Sequence, residues 1–277
     1  MRKRAFLPLA ALLGLSAVVA QGTEPVAPDY TPAIDRAIAA DRLIQAEAML
    51  GRKDIVLPGP DRARLAASLL LAQRRDAEAF TRFEALLATQ PDDCRLQAGA
   101  GIAALRLGRV GDAGPRLRAA TAACADDAKA WGGLAMLEDK AANWDRSADA
   151  YGQAIALTPD DPALLNNAGV SLLAQRRYAD AARTFRQALL LDPANERAKN
   201  NLDIARVANG ERPSFNAEDD SQRRAERLNN AGYMALLTGD EGAATRYFAE
   251  AIKVNPFEFR TAEANLGDVS GAAGATP

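Results

Sequence analysis

Apolar positions along the chain come in two sizes, small and large, and they return in a fixed order every 34 residues. Ser147, Tyr151, Ala154 and Pro159 have counterparts one period later at Ala181, Phe185, Ala188 and Pro193. Trp131, Leu134 and Ala135 likewise return as Leu165, Ala168 and Gly169. Upstream, the order is kept by Ala67, Ala79, Phe83, Leu86 and Pro91, then by Gly101, Ala113, Leu117 and Ala120. Downstream, after an insertion that breaks the phase, it resumes as Leu228, Ala231, Gly232, Ala244, Phe248, Ala251 and Pro256.

The pattern predicts pairs of antiparallel helices. Small residues at the eighth and twentieth places, Gly169 with Ala181 and Gly232 with Ala244, let the two helices approach closely. Large ones at the fourth and twenty-fourth places, such as Trp131, Phe185 and Phe248, wedge the next pair. Proline near the end of a unit cannot extend a helix and restricts the residue before it. No unit buries its apolar face alone, so the units must stack. Composition agrees: 48% hydrophobic with 5% aromatic residues describes a core of small aliphatic side chains, and alanine and leucine favour helix.

These positions resemble the tetratricopeptide repeat, whose W-x-x-L-G-x-x-Y, A-x-x-x-F-x-x-A and terminal proline places they fill over residues 27–258. Ala63, Gln97 and Leu165 stand in the tryptophan place of other units, and Ala125 replaces one terminal proline. The resemblance implies an all-α, right-handed α-α superhelix of stacked antiparallel helix pairs, acting as a non-enzymatic protein-binding scaffold with a concave groove. Units fall near 27–59, 60–93, 94–127, 128–161 and 162–195. A lone helix is expected at 196–208, a linker or loop at 210–224, a last unit with a following helix at 225–266, and a disordered tail at 267–277.

The N-terminus adds an address. Arg2, Lys3 and Arg4 precede an apolar run from Ala5 to Ala20, the pattern of a secretory signal peptide cut before Gln21. The competing reading, a retained anchor, asks a run containing Pro8 and Gly14 to span a bilayer that needs about 20 apolar residues. Loss of the three basic residues leaves 31 basic against 36 acidic side chains. The mature chain is expected in the periplasm or at the outer membrane.

Composition also limits the chemistry. The full chain has 34 Lys and Arg against 36 Asp and Glu, so no global basic field points to nucleic acid. Without histidine, histidine-based triads are excluded, and two cysteines cannot complete a four-thiolate zinc site. No metal, cofactor or small-molecule substrate is indicated. The pairs Asp92-Asp93 and Asp160-Asp161 suit helix capping better than acid–base catalysis, and Arg74-Arg75, Arg176-Arg177 and Arg223-Arg224 read as solvated helix ends. Cys94 and Cys124 open and close one unit, at the same end of a helix hairpin, and are expected to form a disulfide if the compartment is oxidising; two unpaired core thiols are the alternative.

By the same resemblance, the fifth place of each first helix faces the concave groove. Asn166, Asn200 and Asn229 are then candidates for binding the backbone of a partner peptide, with Val170, Ile204, Tyr233, Leu173, Val207 and Leu236 as apolar contacts. Asparagines that merely bridge neighbouring helices are the alternative. The lone helix, the acidic insertion and the final N-N-A-G unit further resemble the repeat proteins of tight-adherence (Flp-type) pilus assembly. That resemblance implies a pilus or secretin component as partner. A periplasmic adaptor for cell-wall or outer-membrane assembly is the second reading, and a solenoid enzyme or glycan-binding protein the remote one.

Overall fold

The computed structural model describes residues 29–213, 215, 219–255 and 260–273. The expected signal peptide, 1–20, lies outside them. The described chain is an all-α solenoid of helix pairs. A short pair, α1 (Thr31–Ala39) and α2 (Leu43–Gly51), comes first. Four regular hairpins follow: α3 (Gly59–Ala72) with α4 (Asp76–Leu87), α5 (Cys94–Arg106) with α6 (Val110–Ala123), α7 (Ala128–Lys140) with α8 (Trp144–Leu157), and α9 (Pro162–Ala174) with α10 (Tyr178–Leu191). Then come α11 (Glu196–Ala208), the pair α12 (Ser221–Leu237) and α13 (Glu241–Val254), and α14 (Arg260–Ala273).

Each first helix starts and stops by local chemistry that keeps the 34-residue period. Asp93, Asp127, Asp161 and Asn195 are the N-caps of α5, α7, α9 and α11, and their side chains accept hydrogen bonds from free amides of the first turn. At the other end, Arg74, Gly108, Ala142, Arg176 and Gly210 all adopt positive φ, from 54° to 83°. This left-handed residue turns the chain into the second helix, and non-glycine residues there cost about 1 kcal/mol each. Gly210 keeps the stop signal of α11, although the next helix among the described residues starts only at Ser221.

Successive first helices touch one another (α3 with α5, α5 with α7, α7 with α9, α9 with α11), whereas successive second helices do not. The first helices therefore line the inside of the curve. Within a hairpin the eighth-place glycine is explained by the ring opposite. A Cβ on Gly169 would lie 2.5 Å from the Phe185 ring, and one on Gly232 would lie 2.6 Å from the Phe248 ring. Phe185 and Phe248 are fully buried, as are Ala181 and Ala244. Trp131 is only partly buried, against Ala135, Ala150 and Tyr151. Its indole N–H donates to the Ala125 carbonyl at 2.9 Å, tying down the turn that lacks the terminal proline.

Two places depart from the regular scheme. In the hairpin of α5 and α6, Pro115 sits inside α6 rather than in its first turn, where it removes one helical hydrogen bond. This is the hairpin closed by a disulfide between Cys94 and Cys124, whose Cα atoms are 6.0 Å apart. At the other place, the acidic insertion does not separate the last unit from the array. Arg227 of α12 lies 3.5 Å from Asp203 of α11 and 3.4 Å from Asp219, all three side chains almost fully buried, with Glu196 at 3.6 Å. Val207 joins the buried cluster of α12 and α13, beside Leu228. The last unit stacks directly on α11.

Two boundaries shift as a result of docking. α12 begins at Ser221, inside the expected linker, because Asp220 caps it. α14 runs to Ala273, past the expected end of helix at Leu266, because Ala262 and Val269 are buried against the last hairpin.

Candidate functional site

The inner face holds a cavity of about 400 Å³ where α5, α7, α9 and the start of α11 meet the turn between α3 and α4. Its walls are Arg74, Leu105, Arg106, Met136, Lys140, Ala163, Asn166, Asn167, Asn195 and Arg197. The repeat geometry places them. Arg106 and Lys140 end α5 and α7 at equivalent positions, and Ala163 and Arg197 sit in the first turns of α9 and α11.

Charge at this cavity is lopsided. Arg106 donates to the Leu71 carbonyl at 2.9 Å and pairs with Asp76 at 3.3 Å, and Arg74 reaches the same carboxylate at 3.9 Å. Burial first, then the charge of Arg74 and more weakly that of Arg197, pulls the Arg106 guanidinium below the ordinary arginine value, against the opposing pull of Asp76. Lys140 and Arg197 are exposed.

Acids nearby are engaged elsewhere. Asp139 accepts hydrogen bonds from Ser147, from Ser171 at 2.6 Å and from the Tyr151 hydroxyl at 3.2 Å, joining α7, α8 and α9. Burial and the Asp139 charge push the Tyr151 hydroxyl well above its usual value, so it stays protonated as a donor. Ser147 and Ser171 are buried, at 0% and 4% exposure, which makes this network a clamp between helices rather than a nucleophile open to substrate. Among the described residues no group of three or more possible ligands could hold a metal ion.

The sequence-derived candidates divide. Asn166 lines the cavity, and its side-chain oxygen also accepts a hydrogen bond from Asn201 at 2.9 Å. Asn229 accepts one from Asn265 at 2.9 Å. Helix bridging therefore occupies one group of each, and Asn167 lines the cavity beside Asn166. Asn200 and Ile204 are half-buried, and Val170 and Tyr233 are exposed at 44% and 54%, on the same inner helices but outside this cavity.

Val207 is a correction: it is buried against α12, because the last hairpin packs directly on α11. Leu173 and Leu236 are half-buried, each packed in part against a hairpin core. Arg74 also departs from expectation, since it lines the cavity, whereas its neighbour Arg75 pairs outward with Glu78 at 2.6 Å. Sequence reasoning missed Arg106, Lys140 and Arg197. The trace was there: Arg106 and Lys140 are one period apart.

Residues 162–195 match the tetratricopeptide repeat family. No curated protein sequence matches the chain. Among solved structures, a chain of the APC/C hetero-tetramer Cut9-Hcn1 is similar with a TM-score of 0.58 at 16% identity, over 87% of this chain and 48% of that one. The present chain thus spans about half the length of that relative. PilF of Pseudomonas aeruginosa is similar with a TM-score of 0.51 at 15% identity, over 78% of this chain and 100% of that one. At such identities the likeness concerns the fold alone, a solenoid of stacked helix pairs of the tetratricopeptide-repeat kind.

Proposed function

We propose that this chain is a non-enzymatic protein-interaction scaffold of the bacterial cell envelope that assists assembly of Flp-type pilus or secretion machinery through its inner face. The observation that carries the binding reading is the cavity on the first helices, where four cations and asparagine amides surround the half-buried, apolar Met136. A polar rim over an apolar floor, on a rigid curved array, suits an extended segment of another protein. The envelope placement rests on the leader-like residues 1–20, and the pilus placement on the resemblance of the lone helix, the insertion and the final N-N-A-G unit. Among the described residues no helix is long and apolar enough to cross a membrane.

The test is crosslinking in the native envelope, with a photo-reactive residue in place of Val170, Ile204 or Tyr233, followed by identification of the attached protein. A pilus or secretin component is the expected product. A cell-wall or outer-membrane assembly protein would replace the pilus placement with the adaptor reading, and no protein adduct at any of the three positions would contradict the scaffold reading itself.

A further inference from the structure

We propose that the cavity between α5, α7, α9 and α11 docks an acidic, extended segment of a partner protein, its carboxylates meeting Arg74, Arg106, Lys140 and Arg197. The inference rests on the scaffold reading and adds the chemistry of the ligand. No Asp or Glu lines this cavity, although acids outnumber bases in the whole chain by 36 to 34. Of the carboxylates around it, Asp76 answers Arg74 and Arg106. Glu138 is buried and accepts from Asn143 at 2.7 Å, Asp139 holds the serine and tyrosine hydroxyls, and Asp161 caps α9. Glu196, next to Arg197, is bound to Lys199 at 2.8 Å and faces Arg227.

The local excess of positive charge is therefore built by directing the neighbouring acids to other partners. The four cations come from four separate elements, the turn after α3, the ends of α5 and α7 and the start of α11, which matches a chain carrying several carboxylates better than one compact anion. Asn166 and Asn167 offer amides for the ligand's backbone, and Met136 and Ala163 an apolar floor. No aromatic ring lines the cavity, so the stacking platform that single-stranded nucleic acid uses is missing from it.

The test uses the whole mature chain and fluorescence anisotropy with a labelled peptide of about ten residues rich in Glu, against the same peptide with Gln for Glu. The Glu peptide should bind at least about tenfold more tightly and weaken as salt rises from about 50 to about 300 mM. The exposed double change Lys140→Glu with Arg197→Glu should cost it about tenfold or more, with helicity unchanged by circular dichroism. Equal binding of the two peptides would overturn the proposal. So would unchanged affinity in the double variant, or equally tight binding of an oligonucleotide or an anionic lipid vesicle. A partner crosslinked from a photo-reactive residue at position 163, in the cavity wall, through a neutral or basic segment would leave the scaffold reading standing and remove this one.

Discussion

The two joints on either side of α11 are built from different materials. Towards α10, contact is apolar: Phe185, Ala181 and Ala182 pack on Leu202 and Ala205. Towards α12, Val207 is joined by a buried ionic cluster of Arg227 with Asp203 and Asp219. In the regular array each hairpin's second helix sets where the next first helix must sit. Among the described residues between α11 and α12 there is no such helix, and with it go the ridges and grooves that fix the next unit's orientation elsewhere. Charges with strict geometric demands supply a register instead, and by holding Asp219 they draw the insertion into the joint. Buried ions are a poor source of net stability but are costly to break one at a time.

That contrast is breakable. Arg227→Ala removes the buried cation that Asp203 and Asp219 share and should destabilise the joint by about 3 to 5 kcal/mol. In urea, α12 to α14 should then unfold ahead of the array, with new protease cleavage between residues 211 and 220. A single unshifted transition would erase the difference between the joints. The second effect lies inside the array, where the hairpin weakened by Pro115 is the one closed covalently. Replacing both Cys94 and Cys124 by Ser should cost about 3 to 4 kcal/mol in the chain-entropy account. Amide exchange should rise in α5 and α6 first, and a rise spread evenly over all hairpins would contradict a local staple.

A smaller pair of changes sharpens what regular packing means. Gly169→Ala drives a methyl onto the Phe185 ring and should cost about 1 to 3 kcal/mol. Gly152→Ala in α8 meets nothing within 4 Å and should gain about 0.5 to 1 kcal/mol, because a helical glycine is merely a poor helix former. Thermal melts of the two variants should move in opposite directions; the same sign in both would mean that the ring contact does not decide the eighth place.

The scaffold was legible from sequence because its rules are local and repeated. Gly169 opposite Phe185 and Gly232 opposite Phe248 are needed in every unit of their kind, and Asp93, Asp127 and Asp161 announce helix starts at one spacing. The site was less legible. A cation at a helix end looks alike in sequence whether it faces open solvent, as Arg75 does, or a cavity lined by α5, α7, α9 and α11, as Arg74 and Arg106 do. Val207 stands three residues after Ile204, as Leu173 does after Val170, so nothing in the sequence separates it from the groove candidates. Its burial follows from the docking of α12 on α11. α14 was cut short by its Gly and Ala content, which hides that Ala262 and Val269 have a core to dock on.

The most direct measurement compares two exposed aliphatic positions on opposite faces of one hairpin: Val170 on the inner helix α9, and Leu190, 82% exposed, on the outer helix α10. With a photo-reactive residue at each in turn, crosslinking in the native envelope should attach a partner protein at 170 and none at 190. Attachment at 190 with none at 170 would place the working surface on the outside of the curve and contradict the account.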